Sequence, residues 1–191
     1  MKILLAALVG GLFVFVWSAV SHIAVPAWLG IGELATAPDL ASEDALLAAM
    51  QKGLPRADVY LLPGAGYDSK NPAEVEAFEQ RQARGPFAFL VYQPEGKAVN
   101  FPKSLAIEFA SNVLAALIAA SILATTSCAY ATRVAIVFSL GIFAWLSLES
   151  SYWNFYRFPD DYVLFELIDQ GGGWFLGGLM ISAMVKGKAS G

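Results

Sequence analysis

Four long apolar runs constrain this chain more than any other feature. Ile3–Val25 is the first, with Lys2 in front and Pro26 behind. At 1.5 Å per residue, such a run makes about 34 Å of helix, enough to cross the hydrocarbon core of a bilayer. Leu105–Ala129 is the second, apolar apart from Glu108, Asn112 and small hydroxyl residues. Val134–Leu148 is uninterrupted by charge and is extended by Ala131, Thr132 and Ser150–Trp153. Tyr162–Val185 carries Glu166, Asp169 and Gln170 in its first half. A cleaved secretory signal is the rival reading of the first run. The run is longer than a usual signal core, and Ser18–His22 is a poor place to cut. A retained span is expected.

The spans are read as 1–25, 103–129, 131–153 and 160–185. The gaps after the second and third are short, so these spans are expected as antiparallel neighbours in a four-helix transmembrane bundle. Composition agrees. Of 191 residues, 57% are hydrophobic and 15% charged, against about 25% charged in ordinary soluble chains. The net charge of −4 argues against a nucleic-acid partner. One cysteine, Cys128, excludes an intramolecular disulfide. One histidine, His22, excludes a multi-histidine metal site within one chain.

Basic residues set the expected orientation. With the N-terminus inside, the inner ends hold Lys2, Arg133, Lys186 and Lys188, and no acid. The short outer loop holds Arg157 against Asp160 and Asp161. Both termini are therefore expected in the cytoplasm and residues 26–102 outside, periplasmic in a bacterial inner membrane. That segment carries ten acids and six bases. Trp28, Phe101, Tyr152, Trp153, Tyr156 and Phe158 fall near the outer interface, where amphipathic rings prefer to sit.

Residues 26–102 read as a small α+β insertion. Ser42 is placed as the cap of a helix that Gly53 and Pro55 end. Asp58–Leu62 reads as a strand, followed by a polar loop over Pro63–Asn71. Asn71, with Pro72 and Glu74 after it, starts a second helix that stops near Gly85-Pro86. Phe87–Gln93 reads as a second strand. Such a unit can bury little core, so its strands are expected to pair with a partner or the unit to pack on the bundle. Gly64-Ala65-Gly66 is too short for a phosphate loop.

The candidate functional residues are polar groups placed inside apolar runs. Glu108 and Asn112 share one face of the second run, and Glu166 and Asp169 share one of the fourth. Glu149 ends the third run, and His22 lies one turn from the end of the first. All fall in the expected outer half. Charges facing lipid cost about 2.5–3.5 kcal/mol at the bilayer centre, so these groups are expected to face inward or to meet water. Glu108, Glu149, Glu166, Asp169 and His22 form a candidate set for a divalent cation or a proton relay. The plainer reading makes them interhelical hydrogen-bonding groups. Catalysis has little support. No Gly-x-Ser-x-Gly motif occurs, Cys128 is at the opposite end from His22, and Ser21 sits on a different helix face from its neighbour His22.

Ser111, Ala115 and Ala119 recur every four residues, as do Asn112, Ala116, Ala120 and Ala124. Gly173 with Gly177, and Gly178 with Ser182, do the same in the fourth run. Such stripes let helices approach closely. Two on the second run exceed what one neighbour needs, which points to contact inside the bundle and to a second membrane protein or another copy.

Several short motifs carry a family likeness: Val16-Trp17 with Ser21-His22; Leu54-Pro55, Tyr60 and Pro63-Gly64; Gly85-Pro86, Val91-Tyr92 and Pro94-Glu95-Gly96; and Tyr152–Tyr156 with Phe158-Pro159. With these the chain resembles a group of small, uncharacterised four-span bacterial inner-membrane proteins with no known activity. The resemblance implies the four-span plan and the inner membrane, and no functional residue. The expected function is a non-enzymatic accessory, assembly or structural subunit of a membrane complex. The alternative is a protein that binds or handles cations or protons through the outer carboxylates.

Overall fold

The computed structural model describes residues 1–64 and 66–186. Ala65 of the Gly64-Ala65-Gly66 sequence and Lys188 lie outside the described residues. The chain is mostly helical and divides into two compact units, one made of residues 1–34 and 99 onward, the other of Ala35–Ala98.

The first unit holds four helices: α1 (Lys2–Leu29), α4 (Phe101–Ala124), α5 (Tyr130–Tyr156) and α6 (Asp160–Met184). Three of them, α1, α4 and α5, are long and apolar enough to cross a membrane. The sequence reading stops the first span at Val25, but α1 runs through Pro26 to Leu29. Proline removes only the bond to the His22 carbonyl, and the helix resumes beyond it. Gly30, at φ 67°, then ends it with its N–H on the Pro26 carbonyl at 2.9 Å. The second run ends early, at Ala124 rather than Ala129. There the Thr125 and Thr126 hydroxyls turn back on the Ile122 and Leu123 carbonyls at 2.7 and 2.9 Å, completing the helix end.

The interior is built from small residues. α1 packs against α4 on one side and α6 on the other, and α6 packs in turn on α5; α4 and α5, though joined by a short loop, barely touch. Ala116, Ala119, Ala120 and Leu123 are fully buried, and Ala115 packs against them. Both stripes of α4 are thus largely used inside the chain, with only Ser111 left exposed. This agrees with the expected contact inside the chain: α4 packs against α1 and also meets α6. Gly11 lets α1 come close to the α4 backbone. A Cβ there would lie 2.6 Å from the Cα of Val113.

Glycine serves α6 on two faces. Gly173 and Gly177 admit Val14 of α1, while Gly178 admits Val137 of α5. A Cβ on Gly172 would lie 2.5 Å from the Trp17 ring. The outer faces of the other helices are apolar. Leu5, Leu8, Leu12, Val16 and Ile23 lie exposed along α1, and Ile107, Leu114 and Ile118 along α4. A continuous apolar exterior of this size belongs in lipid. α6, enclosed on both sides, exposes few large apolar residues and tolerates acids and glycines that a lipid-facing helix would not.

The second unit contains α2 (Leu40–Gly53), β1 (Asp58–Leu62), α3 (Pro72–Arg84) and β2 (Ala88–Tyr92). Its strands pair with each other, antiparallel, with Asp58 opposite Tyr92 and Leu62 opposite Ala88. Ser42 does not cap α2. Asp39 does, accepting from the Ser42 N–H at 2.8 Å, so the helix begins at Leu40, three residues earlier than Ser42 would place it. Two bonds to one carboxylate, from the Ser42 N–H and hydroxyl, favour Asp39 over a lone serine oxygen. They also hold the Asp39 carboxyl below its ordinary value of 3.8. α3 starts as the sequence indicates: the Asn71 side chain accepts from the Ala73 N–H and donates to Glu74 at 2.8 Å. Neither α2 nor α3 contributes a buried residue. Tyr92 is buried, and Tyr67 stacks on Phe78 with ring centres 4.1 Å apart.

Candidate functional site

The site forms where the fifth and sixth turns of α1 lie against the third turn of α6. Gly172 leaves room for the Trp17 ring against α6, and the indole N–H donates to the Asp169 carbonyl at 3.0 Å. One turn further along α1, Ser21 is fully buried and its hydroxyl donates to the Asp169 carboxylate. Asp169 is itself nine-tenths buried. His22 projects from the neighbouring face. Its Nδ1 lies 2.9 Å from the Ser18 carbonyl and 3.9 Å from the same Asp169 oxygen. A carbonyl only accepts, so Nδ1 carries a proton and Nε2 is left to other partners. The imidazole stands edge-on to Phe165 at 4.9 Å.

Glu166 comes one turn before Asp169 on α6 and is hydrogen-bonded by Tyr162. Glu108 is exposed on α4, where Asn112 donates to it at 3.2 Å and Ser111 to its carbonyl at 2.8 Å. A cavity of about 560 Å³ opens between α1, α4 and α6. His22, Glu108, Glu166, Asp169 and Gln170 form its polar wall, and Phe15, Ile23, Phe101 and Leu105 its apolar one. A second space of about 520 Å³ shares His22 and Ile23 with it and is bounded by Gly32 and Glu33. Gly32, at φ 81°, can sit over Phe165 because it has no Cβ.

Four of the five residues expected from sequence, His22, Glu108, Glu166 and Asp169, therefore line one cavity. Glu149 does not. It lies on the α5 side of α6, near Glu166 and Tyr162, with one carboxylate oxygen buried and unpaired. Among the described residues, no three of His, Cys, Asp and Glu converge closely enough to hold a metal ion. Glu108, Glu166 and His22 sit on three different helices, α4, α6 and α1.

Sequence reasoning sets Ser21 aside and does not weigh Trp17 or Tyr162 as site residues. Ser21 lies on the stripe Gly10, Val14, Trp17, Ser21, spaced four, three and four, which is the face of α1 that meets α6. That spacing is the signal that finds it. The Ser21 hydroxyl donates to a carboxylate, not to His22, and is closed to solvent. A serine nucleophile needs the reverse on both counts. The arrangement can instead hold a carboxylate fixed at the edge of a half-apolar cavity. Comparison with known protein families, with characterised proteins and with solved structures finds no match to this chain.

Proposed function

We propose that this protein is a non-enzymatic accessory or assembly subunit of a bacterial inner-membrane complex. In this reading α6 is a fourth span, the four long helices form a bundle, and both termini are cytoplasmic. Residues 35–98 then lie in the periplasm. Enclosure of α6 between α1 and α5 supports its crossing despite its acids, and the bases Lys2, Arg133 and Lys186 support the orientation. The resemblance to small four-span inner-membrane proteins fits this plan.

One observation carries the subunit reading. The unit at 35–98 has almost no interior of its own: neither of its helices buries a residue, while Leu46, Leu47, Val59 and Val91 lie exposed. A unit that exposes this much apolar side chain for so little core is what a second protein would complete. Native mass spectrometry of the protein extracted mildly from its own membrane tests this. A stable heteromeric mass is expected, unchanged by Glu166→Gln with Asp169→Asn. A monomer or a homo-oligomer at every detergent concentration would overturn it.

A second reading, binding of a cation, is favoured by the cavity itself. It gathers three carboxylates and one imidazole, with no lysine or arginine among its lining residues.

A further inference from the structure

We propose that the cavity between α1, α4 and α6 binds a single-chain ammonium amphiphile, a cationic amine head carried on an apolar tail without a phosphate. The inference rests on the cation reading above and names its ligand class. Acids alone would say nothing; size, sign and the second wall together decide.

Size comes first. The space is about 560 Å³. A water occupies about 30 Å³ in the liquid, and organic ligands fill spaces of about 300–1,000 Å³. A bare ion would leave most of it empty, and among the described residues no three of His, Cys, Asp and Glu converge to hold one. Charge comes second. Glu108, Glu166 and Asp169 face the space against one imidazole, His22, so the ligand's complementary charge is positive. Asp169 is held ready, fixed by Ser21 at its carboxylate and by Trp17 at its carbonyl. Chemistry of the remaining wall comes third. Phe15, Phe101 and Leu105 offer hydrocarbon, so the ligand is amphipathic rather than a free polyamine. A zwitterionic phospholipid would bring a phosphate among these carboxylates, with no lysine or arginine on the cavity wall to meet it. That selects an amine without a phosphate.

The experiment is native mass spectrometry of the full-length protein in a neutral detergent. Decylammonium is titrated, with decanoate, phosphatidylethanolamine and Mn²⁺ in parallel. One decylammonium is expected per chain, with affinity at least tenfold weaker in Glu166→Gln and in Asp169→Asn, and decanoate not retained. Glu108→Gln provides a variant whose carboxylate is exposed, so its loss of affinity is read on an intact fold. Equal retention by Glu108→Gln and Glu166→Gln alongside the parent protein would overturn the proposal. Equal retention of decanoate would do the same. Preference for phosphatidylethanolamine over decylammonium would overturn the phosphate-free assignment. Binding of Mn²⁺ without decylammonium would leave the cation reading standing and remove this one; binding of neither would remove both.

Discussion

Val14 sits against Gly173 and Gly177, and Val113 against Gly11, so the long helices meet backbone to backbone. In the 35–98 unit, the two helices bury nothing, and order comes from bonds between residues a few positions apart: Asp39 with Ser42, Asn71 with Glu74, Asp68 with Glu74. One region is held by shape over long sequence distances and the other by local hydrogen bonding plus one strand pair. The difference teaches where each can be broken. Shape fails at a methyl group, whereas local capping fails one end at a time.

The largest effect is expected at Gly11→Ala. The new Cβ meets backbone at Val113 rather than a side chain that could swing aside. Overpacking of this kind costs about 3 kcal/mol, read as lost thermal stability in detergent. An unchanged stability would show that α1 and α4 slide freely. Ser21→Ala comes next. It strips a buried carboxylate of its donor and is expected to cost about 2 kcal/mol. Asn71→Ala removes the α3 cap and is expected to cost about 1 kcal/mol, seen as faster amide exchange confined to the first turn of α3. Loss of protection in α1 or α6 as well would erase the distinction between the regions. Leu46→Gln, at a position 59% exposed, is expected to shift the stability of the purified protein by less than about 0.5 kcal/mol.

The smallest effect is local and depends on pH. The Ser42 N–H and hydroxyl hold the Asp39 carboxyl below 3.8. A carboxyl depressed in the folded state contributes stability that is complete above its unfolded value, about 3.9, and is lost as pH falls through the lower, folded one. Acidification from pH 5 toward pH 2 is therefore expected to fray the start of α2, measured at the Ser42 amide by nuclear magnetic resonance. Asp39→Asn, which keeps a capping oxygen, is expected to flatten that dependence.

Much of this was legible in the residues because it is local. The Asn71-Pro72-Glu74 start of α3 and the strand at Asp58–Leu62 follow from neighbours in sequence. Asp39 escaped because two residue types that both cap stand three apart, and only bond geometry chooses between them. Pro26 marks an expected stop, yet one lost bond does not end a helix with apolar turns on either side. The candidate carboxylates were legible as polar groups inside apolar runs. Their distances were not, because α4 lies beside α1 rather than beside α5, its neighbour in the chain. Ser21 was missed for the same reason: its importance comes from Asp169, 148 residues away.

The proposed contrast, between a helical region packed on itself and a unit that takes its cover from another protein, is the central claim. Hydrogen exchange, compared between native membrane vesicles and the purified protein in a lipid disc, tests it most directly. Amides of α1 and α6 are expected to stay protected in both. Those of α2 and α3 are expected to be protected in the native membrane and to exchange at least tenfold faster after purification. Equal exchange of α2 and α3 in the two preparations would contradict the claim.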